Sequence, residues 1–274
     1  MPVTYDMHIH SAYSTDSRTP LSEQILEAKK RGLLGICLTD HMDYDFPADD
    51  KEYPENPPFV FDEAEYKREI GKYRENIPAL WLGAGVECGL QPYASVTEKT
   101  AALIKQGGWD FIIGSIHLVD GRDPYYPEFW EGEVPALCVR RYFETMLCCL
   151  SLFSDFDSLG HMDYIVRYAP DSFCYRPSDY QDITDEILKL LIKKDIALEV
   201  NSSGLFSAKG CENPHPSLLK RYVELGGELI TLGSDAHTPE RIASGFTVIE
   251  RHIKEAGLHQ YVTYCKRRPL FHDL

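Results

Sequence analysis

The chain has 274 residues, of which 43% are hydrophobic and 26% charged, the composition of an ordinary globular protein rather than a disordered or fibrous one. With 43 acidic against 28 basic residues the formal net charge is -15, which argues against a surface that follows nucleic-acid phosphates by bulk attraction and leaves room only for a local basic pocket. Eight cysteines without a Cys-x-x-Cys pair read as buried thiols of a reducing compartment. With no basic, apolar leader and no apolar run of bilayer length, the expectation is a cytoplasmic protein without a membrane partner.

The first stretch, Tyr5 to His10, reads as a strand in which alternation sets Asp6, His8 and His10 on one face and Met7 and Ile9 on the other. A loop carrying Asp16 leads to an amphipathic helix over 21–31, stopped by Gly32, and an apolar run over 33–38 enters Thr39-Asp40-His41. Residues 42–58, rich in Asp, Pro and aromatics, form a long loop of the kind that serves as a lid, and its Tyr44, Asp45 and Phe46 suit a small cationic substrate. A helix over 62–75, a strand over 79–86 ending at Glu87, a helix over 96–106 and an apolar run over 109–116 ending at His117 follow.

A second proline-broken loop, 118–133, precedes a long helix over 134–152, and 156–160 leads to His161 and Asp163. Then come a helix over 180–194, a strand over 196–200 ending at Asn201, a helix over 216–225, and a strand over 228–232 ending in Gly233-Ser234-Asp235-Ala236-His237. A last helix over 239–256 and a short closing strand over 261–265 complete the chain. Strand and helix alternate without linker or repeat, which predicts one α/β domain over 1–274 with a parallel sheet and outer helices. Polar tips on nearly every strand favour a closed barrel, which gathers them at one end, over an open sheet, which spreads them out.

Those tips supply His8, His10, His41, Glu87, His117, His161, Asp235 and His237, and the first loop adds Asp16. Taken singly, each satisfies backbone groups or caps a helix; taken together they make a metal cluster. A catalytic zinc takes three protein ligands, so a donor set of this size implies two or three ions. Imidazole and carboxylate without thiolate suit Zn, Fe or Mn.

The motifs His8-Ile9-His10, Asp16, Thr39-Asp40-His41, Glu87, Ser115-Ile116-His117, Gly160-His161 and Ser234-Asp235-Ala236-His237 resemble those of the polymerase and histidinol phosphatase (PHP) superfamily across essentially the whole chain. Asp16 and the segment Thr39 to Pro47 are most similar to the histidinol-phosphate phosphatases within it. The resemblance implies a distorted (β/α)7 barrel with three divalent ions. One would take His8, His10, Glu87 and Asp235, a second Glu87, His117 and His161, and a third Asp16, His41 and His237, with Glu87 bridging the first two. It implies hydrolysis of a small phosphate monoester, L-histidinol phosphate of histidine biosynthesis.

In that chemistry Asp40 would act as general acid or orient His41, Arg167 resembles a phosphate-holding arginine, and Asn201 would be a turn former or donor. Many relatives carry a second basic residue after the element Asn201 to Leu205; here Phe206 stands there and leaves Lys209 as the substitute. Other readings are a nucleotide phosphodiesterase or exonuclease, a phosphotyrosine-protein phosphatase, or a non-catalytic metal-binding protein on the same barrel. The acidic charge counts against polynucleotides. Metal identity, oligomeric state and the residues that read an imidazole are not legible.

Overall fold

The computed structural model describes residues 3–47 and 59–274; the rest of the 42–58 loop, and with it the expected lid, lies outside the described residues. The strands β1 (Tyr5–Ile9), β2 (Gly35–Leu38), β3 (His41–Met42), β4 (Trp81–Gly89), β5 (Phe111–Ser115), β6 (Ser158–Leu159), β7 (Ala197–Asn201) and β8 (Ile230–Gly233) form one parallel sheet in the order β1-β2-β4-β5-β6-β7-β8. β3 continues past the end of β2 and pairs with β4, so β2 and β3 act as one broken stave. The ring closes where His10 N donates to Ala236 O (3.0 Å) and Asp235 N to His8 O (2.8 Å). Around it lie α1 (Leu21–Lys30), α2 (Glu63–Asn76), α3 (Ala94–Gln106), α4 (Pro135–Leu152), α5 (Gln181–Lys193), α6 (Pro216–Glu224) and α7 (Phe246–Ala256). The architecture is the expected barrel of parallel strands surrounded by helices.

Strand alternation builds two apolar layers. Ile36, Leu38, Val86, Ile112, Leu198 and Val200 pack outward with helix residues such as Ile25, Ile70, Leu103 and Ile187, whereas Met7, Cys37, Phe111, Ile113 and Ala197 form a smaller cluster with them excluded. Both faces are buried, which is why the strands read as continuous apolar runs. On β4 the interior is too narrow for side chains at every step: a Cβ on Gly83 would come 2.6 Å from Cys37 Sγ.

Three expectations change. The closing strand over 261–265 is not part of the ring; β9 (Gln260–Cys265) pairs antiparallel with β10 (Arg268–Asp273) instead. This hairpin plugs the amino end of the barrel, with Val262 and Tyr264 joining the inner cluster and Arg267 bound to Asp157 just ahead of β6. The ring needed no further strand because β8 already reaches β1. The helix over 239–256 is broken, a 3-10 turn at Pro239–Arg241 being separated from α7 by left-handed backbone at Ala243 (φ 49°) and Gly245 (φ 79°). The break lets Ala243 N donate to Asp6 Oδ2 at 2.8 Å.

Asp6 itself leaves the face of His8 and His10. The β1–β2 register shifts between Asp6 and Ile9, so simple alternation fails there. Met7 turns into the inner cluster and Asp6 turns aside to accept from Ser234 N (3.0 Å).

Candidate metal centre

The carboxyl ends of the strands converge on the carboxylate of Glu87, which is fully buried in β4. Its Oε2 lies 3.2 Å from His8 Nε2, 3.4 Å from His10 Nε2 and 3.0 Å from His41 Nδ1, while Oε1 lies 3.3 Å from His117 Nε2 and 2.9 Å from His161 Nε2. One carboxylate thus separates two sets of imidazoles. Asp235 Oδ1 approaches His10 Nε2 at 3.2 Å, and Asp16 Oδ2 sits between His237 Nε2 (3.1 Å) and His41 Nε2 (3.5 Å). All of the metal donors singled out in the sequence are brought together.

The arrangement fits cations better than it fits hydrogen bonds among its members. His8 Nε2 and His10 Nε2 face one another at 3.0 Å, and Glu87 Oε2, Asp16 Oδ1 and His41 Nδ1 are buried without a hydrogen-bond partner. Buried polar atoms are normally paired. Donor atoms crowded this closely are what ion binding requires, and His10/His41/His237, His8/His10/Glu87 and His41/Glu87/His117 each bring theirs within 4.8 Å of one another.

Electrostatics agree. Burial, reinforced by charge on His237 and His41, pushes His10 down to about 3, leaving a neutral imidazole with a free lone pair. Burial would raise Glu87, but His8, His41 and His117 hold its carboxyl well below the usual range, so it stays anionic.

Several neighbours hold the donors in place. Glu199 Oε1 takes His8 Nδ1 at 2.5 Å and Glu199 Oε2 accepts from His161 N at 2.7 Å; Asp43 Oδ2 takes His117 Nδ1 at 2.6 Å. Ser14 Oγ meets His10 Nδ1 at 3.0 Å, and Ser115 Oγ donates to Glu87 at 2.6 Å. Such partners fix ring tautomer and orientation. Sequence reading missed these residues, although a charged Glu199 inside the apolar run of β7 was a usable signal.

Asp40 accepts from Ser11 N (2.6 Å), Ser11 Oγ (2.8 Å), Ser14 N (3.0 Å) and Ser14 Oγ (2.8 Å) and is fully buried. It therefore shapes the 11–14 loop behind His10 and is absent from the mouth lining, a geometry that suits orienting and not proton donation. Asn201 is equally buried, accepting from Ser203 N and Oγ and donating to Glu199 Oε2 at 3.1 Å. Arg167 reaches the mouth, its guanidinium held by Ser203 Oγ (2.5 Å) and Asn213 Oδ1 (3.2 Å) with Asp235 Oδ2 at 3.8 Å. Lys209 lies apart from the donors, in a neighbouring cleft, with its Nζ 3.3 Å from Asp171.

The mouth over the cluster is a cleft of about 140 Å3 walled by Phe46, Phe59, Tyr125, Tyr164 and Tyr168, with Asp123 on its rim. Of the loop residues Tyr44, Asp45 and Phe46, only Phe46 lines it; Lys99 draws the other two away, pairing with Asp45 and lying over the Tyr44 ring.

Residues 6–203 match the PHP domain model, a span that runs from the first histidines through β7. The chain belongs to the PHP domain family. Among PHP-related proteins it is 36% identical over 246 residues to a probable histidinol-phosphatase of Clostridium acetobutylicum, covering 89% of this chain and 90% of that protein. It is 30% identical over 262 residues to the histidinol-phosphatase of Lactococcus lactis, covering 94% and 93%. The crystal structure of the Lactococcus lactis histidinol phosphate phosphatase with zinc, L-histidinol and phosphate superposes with a TM-score of 0.88 at 28% identity, covering 98% of this chain and 99% of that one. None of the helices described is long and apolar enough to cross a membrane.

Proposed function

We propose that this PHP-family chain is a histidinol-phosphatase that hydrolyses L-histidinol phosphate to L-histidinol and phosphate. The observation that carries the reading is the division of five imidazoles between the two oxygens of Glu87, beside a mouth that holds Arg167. Similarity to the Lactococcus lactis enzyme along nearly the full chain supports the choice of substrate.

The ligand sets are those of the family resemblance: His8, His10, Glu87 and Asp235 for one ion; Glu87, His117 and His161 for a second; Asp16, His41 and His237 for a third. Zn, Fe and Mn all suit these donors, and the zinc in the Lactococcus lactis enzyme favours the first. When bound, such cations lower the pKa of water and offset the charge on the phosphoryl oxygens during in-line displacement. The chain's own groups do the rest. Glu87, Asp16 and Asp235 supply the negative charge that retains the cations, and Glu199 and Asp43 hold His8 and His117 in the tautomer that presents Nε2.

Arg167 offers a planar fork to the phosphoryl oxygens, and its bonds to Ser203 and Asn213 set the direction of that fork. Ring walls from Phe46, Phe59, Tyr125 and Tyr164 exclude water and accept the flat imidazole, with Asp123 and Asp43 offering negative charge to an ammonium. In the step itself the oxygen of water bonds to phosphorus, the ester P–O bond breaks, the proton given up by the water passes to solvent, and the departing alkoxide takes one back from solvent to leave as the alcohol.

Release of inorganic phosphate from L-histidinol phosphate and from a phosphotyrosine peptide, set beside release of a nucleoside monophosphate from a nucleotide diester, tests the reading. L-histidinol phosphate should be hydrolysed far faster than either alternative, with Glu87→Ala inactive yet folded by circular dichroism. Preference for the diester or the peptide overturns the substrate assignment, and unaffected turnover in Glu87→Ala overturns the site.

A further inference from the structure

Phe206 occupies the position after Leu205 with its ring exposed, and the guanidinium of Arg241 lies over that ring, its Cζ 4.3 Å from the centroid. Arg241 ends the 3-10 turn Pro239–Arg241, which follows the metal-facing Asp235 and His237 directly. Phe206 and Arg241 line a cleft of about 350 Å3 whose wall also includes Arg167, Asp235 and His237, three residues shared with the mouth over the metal donors. The cleft therefore adjoins the mouth over the donors, with Arg167, Asp235 and His237 forming a wall common to both.

We propose that Arg241, seated on Phe206, is a second phosphate-holding guanidinium alongside Arg167. The inference rests on the phosphomonoesterase reading above. A phosphate dianion presents three acceptor oxygens, and Arg167 already spends donors on Ser203 and Asn213. Among the described residues the Arg241 side chain has no hydrogen bond or ion pair, so all five of its N–H donors are available. Lys209 is poorly placed for the task, since its ammonium faces Asp171 in a different cleft.

Arg241 is exposed, but the backbone that carries it is pinned. Arg31 donates to the carbonyls on both sides of it, Glu240 O at 2.9 Å and Ile242 O at 2.8 Å, and Arg241 N donates to Thr238 O at 3.0 Å. The contact with the Phe206 ring gives the guanidinium a further point of attachment. A cation held in this way loses little freedom when an anion arrives, which is what separates a binding group from an ordinary surface arginine.

The test is calorimetric titration of the metal-loaded protein with inorganic phosphate, alongside steady-state kinetics on L-histidinol phosphate. Arg241→Ala should weaken phosphate binding about tenfold, the scale of one charge-assisted contact, and raise KM by a similar factor with kcat changed little. Phe206→Ala should give a smaller loss in the same direction, because the arginine stays and loses its seat. The double variant Phe206→Arg with Arg241→Ala should recover phosphate affinity by supplying a guanidinium to the same cleft. Unchanged phosphate affinity in Arg241→Ala, with full metal content and an unaltered melting curve, overturns the proposal and leaves the pair as a surface contact only. Because inorganic phosphate is the probe, Arg241-dependent binding in a protein that fails to hydrolyse L-histidinol phosphate overturns the substrate reading and not this one.

Discussion

Glu199 stands behind the imidazoles and not among the donors: one oxygen fixes His8 Nδ1 and the other the backbone N–H of His161, two residues that approach opposite oxygens of Glu87. Glu199→Gln keeps the shape but loses the anion that selects the His8 tautomer. Metal affinity should drop about 10- to 100-fold, read by competition with a chromophoric chelator. An unchanged affinity would mean that the ring is oriented by packing alone. His237 gives a pH signature. Burial and His41 lower its pKa, but Asp16 and Asp235 outweigh them and raise it to about 8. The metal-free protein then gains stability from this proton below the ordinary value of 6.5 and loses it as pH rises through about 8. A cation must displace the same proton, so metal affinity should climb across that interval. Calorimetry in buffers of different ionisation heat should find fewer protons released per ion at pH 9 than at pH 7; a constant number would sink the assignment of His237 as a ligand.

At the scale of elements, the tips of short strands matter more than their length. β6 is only Ser158–Leu159, yet it delivers His161, whose backbone φ of 20° is outside the usual regions for a non-glycine residue. The Gly160 that precedes it has no room for a side chain, since a Cβ there would lie 2.2 Å from Ser115 Oγ, the donor to Glu87. Gly160→Ala is therefore expected to displace Ser115, cost about 1–3 kcal/mol of stability as overpacking does, and lower metal content in the purified protein. Urea denaturation with elemental analysis checks both parts, and wild-type metal content would show that the tip can relax. Sequence periodicity found the element but not this crowding. It also ran the last helix through Ala243 and Gly245, because the bond from Ala243 N to Asp6 that favours the break joins residues 237 positions apart.

Across the whole molecule, the donors come from β1, β3, β4, the ends of β5, β6 and β8, and the first loop, so cations held by them would tie the barrel mouth across nearly its full circumference. Removing them leaves Glu87, Asp16 and Asp235 in a buried centre of a protein whose net charge is already -15. Ions held at 1,000 times their Kd add about 4 kcal/mol of stability, and each kcal/mol moves Tm by roughly 2–4 °C in a domain near this size. Scanning calorimetry should show Tm falling by roughly 10 °C on chelation and returning with added zinc; a Tm indifferent to chelator would mean that the folded mouth does not grip ions.

The alternating strand and helix order and the set of imidazoles and carboxylates that meet around Glu87 were legible in the chain alone, because periodicity marks an element locally and a parallel barrel sends every strand end to the same mouth. The fold alone set the register slip that takes Asp6 off the face of His8 and His10, the hairpin that plugs the amino end, the burial of Asp40 and Asn201 away from the mouth, and the contact of Arg241 with Phe206. These depend on contacts between residues far apart in the chain, where the energy of packing and hydrogen bonding overrides what any one stretch prefers.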